Sequence, residues 1–264
     1  MLLEIVFTDI IHYLILILGG MFSGFVNVLA GAGSLMVLPI LAGIGLPMNI
    51  ANGTNRIAIL MQDIAGVFKF FKSNKLPLKI CLILSIPTAI GAGIGALLVS
   101  GLSDKILNTI VMIVLLLMLL YIIFKGVGDK NEQQQNTSTT GYKTKVDILT
   151  FIIFLIIGAY AGFIQGGATL LWFAVLTWRM KFDMITADAI KLFMNFVMTP
   201  IALVIFMIHK QVSYLDGLIL GIGSFAGAWI GAQIVMKIKP HFIKIFMIVV
   251  LSAASAYMFF FKII

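Results

Sequence analysis

The sequence predicts an all-α integral membrane protein with about ten transmembrane segments, arranged as two inverted five-helix repeats with short broken helices in each repeat. Three observations carry this prediction. The first is composition: of 264 residues, 61% are apolar and 11% charged, with mean hydropathy +1.15. A water-soluble domain of this length has no use for so much apolar surface. The second is a single strongly polar stretch with matching motifs on either side. The third is the uneven distribution of Lys and Arg over the loops.

A run of about 20 apolar residues, rising 1.5 Å each, spans a hydrocarbon core about 30 Å thick. In the first half apolar runs occupy Ile10–Val28, Gly33–Leu46, Ala51–Phe68, Leu78–Ser100 and Ile106–Phe124. In the second they occupy Ile148–Gln165, Ala168–Trp178, Met184–Ile208, Tyr214–Met236 and Phe242–Phe261. Gly33–Leu46 and Ala168–Trp178 are short: about 14 helical residues reach only about 21 Å. They read as broken helices, half-helices or re-entrant pieces. Glu4 and Asp9, with no Lys or Arg before the first run, argue for a retained helix rather than a cleaved signal.

Between the fifth and sixth runs, Asn131-Glu132-Gln133-Gln134-Gln135-Asn136-Thr137-Ser138-Thr139-Thr140 has too few apolar side chains to bury a core. The expected organisation is a first repeat over 1–125, a polar flexible linker over 126–147 and a second repeat over 148–264. Gly20, Gly24, Phe25 and Asn27 align with Gly158, Gly162, Phe163 and Gln165, and Ala51 with Ala189. Further on, Gly91, Gly95 and Ala96 align with Gly227, Gly231 and Ala232. Their shared order marks an internal repeat, and the small-x3-small pairs suit close helix contacts.

With ten crossings and both termini outside, one side collects Lys69, Lys72, Lys75, Lys79, Lys125, Lys130, Lys143, Lys145, Arg179, Lys181, Lys237, Lys239 and Lys244. The other side keeps Lys105, Lys210 and Lys262. A re-entrant reading of the short segments weakens this asymmetry, so the positive-inside rule favours ten crossings. An odd number of crossings per half makes the repeats antiparallel, the design of many secondary transporters. The expected location is a cell (inner) membrane, with lipid as a neighbour. The formal charge of +8 then reflects loop orientation rather than nucleic-acid binding.

Arg56 and Lys191 stand inside these apolar segments, where a cation costs roughly 2.5–3.5 kcal/mol at the bilayer centre. Each follows a Gly-rich stretch at a comparable place in its half, and a cation held there points to an anion handled there. In the first half, Asn27, Gly33 and Ser34 lie where the chain leaves helical geometry, and the amides opening a short helix attract anions. Asn52, Thr54, Asn55 and Arg56 follow; the N-cap preference of Asn and Thr predicts that the third helix starts in this stretch. The fixed fork of Arg suits an oxyanion, although Arg56 near a span end is also free to snorkel to the surface. In the second half the corresponding residues are Gln165, Gly166, Thr169, Lys191 and Asn195. Asp188, three residues before Lys191, offers it a helical ion pair. Asp63, two turns after Arg56, reads as a proton site, a sodium ligand or a counter-charge.

Other chemistries lack their residues. Cys81 is the lone cysteine, and His12, His209 and His241 are far apart, so no metal site or disulfide is expected. GxxxxGK[ST], HExxH and GxSxG motifs are missing, so neither ATP-driven transport nor an enzyme is expected, and no cofactor.

The run Gly24-Phe25-Val26-Asn27, Ala30-Gly31-Ala32-Gly33-Ser34, Pro39, Gly45 and Ala51-Asn52-Gly53-Thr54-Asn55-Arg56 resembles the first-repeat signature of the TauE/SafE sulfite exporter family. Ala187-Asp188-Ala189-Ile190-Lys191, Phe206 and Gly221 through Gly231-Ala232 look like its second half, with the Gly-rich turn thinned to Gly166-Gly167-Ala168-Thr169. The resemblance covers nearly the whole chain. It implies a permease, an exporter of small anions such as sulfite or organosulfonates. The resulting expectation is a secondary transporter working by alternating access, for which interior-negative voltage alone drives anions outward. A homodimer is left open. The rival expectation is a non-transporting assembly subunit that binds a soluble partner through the Lys-rich loops.

Overall fold

The structure, a computed structural model, describes residues 2–30, 33–72, 76–125, 146–234 and the single positions 248, 249, 252, 256 and 260. Most of the expected linker and most of the tenth segment lie outside the described residues. The described chain is helical: α1 Leu2–Ala30, α2 Gly33–Gly43, α3 Met48–Lys72, α4 Leu78–Ser100, α5 Asp104–Lys125, α6 Ile148–Phe163, α7 Ala168–Ala174, α8 Met184–Ile208 and α9 Tyr214–Ile234. A single π-helical turn, Val175–Arg179, extends α7.

Among the described residues, four helices carry stretches long and apolar enough to cross a membrane: Ile10–Val28, Leu78–Ser100, Ile185–Ile208 and Tyr214–Gly231. Their outer faces expose Leu82, Ile86, Leu98, Val204 and Ile222, as a lipid-facing surface requires. The inner faces form two apolar cores. One holds Leu16, Leu38, Leu41, Phe206 and Leu220; the other holds Leu84, Phe154, Trp172, Ile190 and Met194.

Local chemistry sets several helix starts. Asp183 accepts from the amides of Ile185 and Thr186 at 3.1 and 3.0 Å and caps α8. Asp147 accepts from the Thr150 amide at 2.9 Å and caps α6. It also pairs with Arg179 at 2.7 Å. Hydrogen bonds from the Thr150 side chain and amide, then the Arg179 charge, hold this exposed carboxyl below the usual carboxylate range.

The third helix corrects the sequence expectation. It begins at Met48, so Asn52, Thr54 and Asn55 lie inside it rather than capping it. The reason is tertiary: Asp104, opening α5, accepts from the Asn49 amide at 2.9 Å. The Pro47 carbonyl then accepts from Ala51 at 2.8 Å.

Glycines fix how the helices pack. Gly20 abuts the Leu220 carbonyl, Gly24 the Ser224 carbonyl and Gly227 the Met21 carbonyl, so α1 and α9 run in the same direction. Gly217 meets Thr54 and Ile57, and Gly221 meets Ala58 and Met61, so α3 runs that way too. A second set repeats the pattern. Gly91 and Gly95 abut Leu155 and Ala159 while Gly158 and Gly162 abut Thr88 and Ala92, making α4 and α6 parallel. Thr88 lies 4.0 Å from the Met194 sulfur and Gly93 faces Ile201, which adds α8. The two sets oppose each other, because Gly53 meets Phe206, Asp63 meets Asn195 and Gly66 meets Leu192.

Directions explain the short helices. As α1 and α3 are parallel, α2 must carry the chain back between them. It does so along α1, with Gly33 against Ser23 and Asn27 and Ile40 against Gly19. The same reasoning makes α7 the return from α6 to α8.

These contacts also correct the repeat register. Gly91 occupies against Leu155 the place that Gly223, not Gly227, occupies against Ile17. Gly95 against Ala159 likewise matches Gly227 against Met21. The sequence alignment slipped by one helical turn because α9 repeats glycine at Gly223, Gly227 and Gly231, and any turn matches any other.

Candidate functional site

The glycine turn after α6 is where the polar interior converges. Gln165 and Gly167 both adopt left-handed backbone, with φ of 66° and 80°, which ends α6. That leaves C-terminal carbonyls without helical partners. Two side chains of α3 cover them. Arg56 donates through Nη1 to the Ala161 carbonyl at 2.7 Å and through Nη2 to the Gly162 carbonyl at 2.8 Å. Asn52 donates to the Phe163 carbonyl at 2.8 Å. A guanidinium is a fitting cap, since the C-terminal end of a helix carries partial negative charge.

Arg56 is 0% exposed, which removes the snorkelling alternative. Its Cζ lies 5.3 Å from the Phe206 ring centroid, and its Nη2 is 3.4 Å from Asn52 Oδ1. Its Nη1 also donates to Gln165 Oε1. From there the network continues: Gln165 Nε2 donates to Asn195 Oδ1 at 2.8 Å, and Asn195 Nδ2 donates to Asp63 Oδ2 at 2.7 Å. Arg56 and Asp63, both 0% exposed, are thus joined by two carboxamides rather than by direct contact. The polarity of this chain is set at both ends, because a guanidinium only donates and a carboxylate only accepts.

The expected site residues divide into groups. Asn52, Arg56, Gln165, Asn195 and Asp63 share one network. Gly166 follows Gln165 in the turn but bonds elsewhere, its carbonyl accepting from Tyr160 Oη at 2.5 Å. Lys191 is buried one turn from Asn195 on α8, with Asp188 Oδ1 at 2.7 Å and the Phe173 ring centroid at 5.3 Å. The helical ion pair anticipated from sequence therefore forms. Thr54 has other work: its hydroxyl accepts from the Ser213 amide at 2.9 Å, at the entry to α9. Thr169 and Ser34 are buried in the first turns of α7 and α2. Asn27 Oδ1, both amide atoms of Asn55, Arg56 Nε and Asp63 Oδ1 are buried without a hydrogen-bond partner.

Sequence reading missed Thr199, whose hydroxyl is 3.4 Å from Gln165 Nε2. The signal was available, since Thr199 follows Asn195 by one helical turn. Phe206, noted only through the family resemblance, faces the Arg56 guanidinium.

Fold and site together define an all-helical, multi-pass membrane protein with a charged polar network buried at an interrupted helix. The Sulfite exporter TauE/SafE family model matches residues 16–258, and the chain belongs to that family. Its similarity extends to a probable membrane transporter protein of Sinorhizobium sp, 25% identical over 88% of this chain and 87% of that protein. A probable membrane transporter protein of Haemophilus influenzae is 23% identical over 82% of each chain. The probable membrane transporter protein YfcA of Escherichia coli K12 is 23% identical over 89% of this chain and 85% of its own. No solved structure matches. The protein is therefore a membrane transporter, and nothing favours the rival assembly-subunit reading.

Proposed function

We propose that this transporter carries small anions, such as sulfite or organosulfonates, by alternating access between two inverted repeats of five crossings each. Support for the inverted arrangement comes from helix direction. The sequence-matched helices α1 and α6, α3 and α8, and α4 and α9 run oppositely. Packing partners also exchange: α1 on α9 and α3 on α9 correspond to α6 on α4 and α8 on α4.

One observation carries the choice of cargo. A fully buried guanidinium from the first half sits at the broken helix of the second, with its Nε–H unpartnered. Broken backbone at membrane depth is sustained where it lines a substrate path, and a free charged donor there selects for negative charge. Lys191 adds positive potential from the next turn of α8, while the unpartnered Asn55 Nδ2 offers a neutral donor. If the anion moves alone, interior-negative voltage favours export by roughly 2.3 kcal/mol per charge per 100 mV.

A second reading has its own observation. The Ala161 and Gly162 carbonyls already engage Arg56, so the residue serves equally well as a fixed helix cap. Arg56→Lys in proteoliposomes separates the two. Anion recognition through the guanidinium predicts that KM for sulfite or methanesulfonate rises at least tenfold. A cap alone predicts lower thermal stability with KM unchanged, and an unchanged KM sinks the recognition role.

A further inference from the structure

We propose that Asp63 binds one proton together with each anion, making the protein a proton–anion symporter; this rests on the anion reading above and adds its coupling ion. The argument starts from charge balance. In the α3–α8 interior Arg56 and Lys191 bring two positive charges, and Asp63 and Asp188 two negative ones. With all four ionised, the empty site is neutral. An entering anion leaves one negative charge without a partner in a poorly solvated interior, which is costly. Only a group that can gain a proton restores balance. Arg56 is permanently charged, Lys191 is held by Asp188, and Asp188 is about a third exposed and spends an oxygen on Lys191.

Asp63 has the geometry for the task. Its Oδ2 accepts from Asn195, while its Oδ1 is buried without a partner. A proton on Oδ1 leaves every bond of the Asn195–Gln165–Arg56 chain in place. The Asn195 side of Asp63 does not favour a metal cation. Asn195 turns its NH2 toward Asp63, because Arg56 orients Gln165 and Gln165 orients Asn195. The neighbouring group thus offers hydrogens where sodium needs oxygens.

The charged and titratable groups around Asp63 are few. Arg56 shares its helix, α8 contributes Lys191 and Asp188, and α6 contributes Tyr160 beside the Gln165 turn. Lys69 and Lys72 lie in the last turn of α3, and on the other helices packed against it the described candidates are His12 and Tyr13 within α1, Asp104 and Lys105 at the start of α5, and Tyr214 and Asp216 at the start of α9. The proton taken up from one side leaves on the other with the anion. A monovalent anion then crosses without net charge, so its direction follows the pH gradient instead of voltage.

The test uses the full chain in sodium-free proteoliposomes with radiolabelled methanesulfonate, which stays ionised throughout, and sulfite. An imposed pH gradient should accumulate methanesulfonate on the alkaline side, up to about tenfold per pH unit at equilibrium, and a protonophore should abolish this. Asp63→Asn keeps the hydrogen-bond polarity of the chain, with its carboxamide oxygen facing Asn195 and its NH2 replacing the protonated oxygen. It should lose accumulation while labelled-for-unlabelled counterflow remains measurable. Wild-type flux indifferent to the pH gradient, flux that requires sodium, or Asp63→Asn accumulating like wild type each overturns the symport. The wild-type measurement decides even if the variant does not fold. No flux of either probe overturns the anion reading itself and the symport with it.

Discussion

The two helix breaks start from the same glycine frame and end differently. Gly20 and Gly24 on α1, like Gly158 and Gly162 on α6, press against the backbone of a partner helix from the other half. Beyond that frame, α6 stops at Phe163, directly after Gly162, while α1 runs past Gly24 to Ala30. At the α6 break Arg56 and Asn52 satisfy the freed carbonyls and Gln165 joins a network reaching Asp63. At the α1 break, Asn27 is buried with its Oδ1 unpartnered, beside Gly33. The polar signature of the first half thus serves the break of the second half. One break is capped by a cation and wired to Asp63, and the other carries a buried acceptor without a partner.

This contrast can be broken experimentally, beginning with its largest consequence. Arg56→Met removes the cation from the wired break and strands three acceptors at once: the Ala161 carbonyl, the Gly162 carbonyl and Gln165 Oε1. Removing one partner of a buried charge network costs about 3–5 kcal/mol. Thermal unfolding in detergent should show a large loss of stability, and near-wild-type stability would mean that the network does not hold α3 to α6.

A paired substitution then compares the breaks directly. Gln165→Leu interrupts bonds to Arg56 and Asn195 and should cost about 1–3 kcal/mol. Asn27→Leu removes an acceptor that lacks a partner and should leave stability within about 1 kcal/mol of wild type, or raise it. Equal losses from the two variants would erase the asymmetry. Anion flux should fall in both if spare polar groups at the α1 break meet the cargo.

The smallest expected effect lies outside the membrane, at the entry to α6. The folded-state pKa of Asp147 is depressed, so its cap contributes stability above the ordinary carboxylate value near 3.8. That contribution disappears as pH falls through the lowered folded value. Asp147→Asn should therefore lower the Tm slightly at neutral pH, with the difference from wild type vanishing in strong acid. A difference that persists there would assign the effect to something other than the carboxylate.

Hydropathy alone determined that this chain is helical and membrane-embedded, and where most segments lie: Leu78–Ser100 and Met184–Ile208 match α4 and α8 from first residue to last. It also marked Arg56, Gln165, Asn195 and Asp63 as polar groups too expensive to bury without purpose. Both are local properties, since transfer of a side chain or a run of side chains into hydrocarbon depends on composition, not on partners. Tertiary structure decided the rest: that α3 begins at Met48 under an Asp104 cap, that α9 aligns with α4 one turn from where repeated glycines suggested, and that Arg56 closes a helix of the opposite half. Each of these depends on a donor meeting an acceptor, or a backbone meeting a missing side chain, from a distant part of the chain. No period or motif records such a meeting, because the sequence fixes the cost of leaving a polar group unpaired but not which group relieves it.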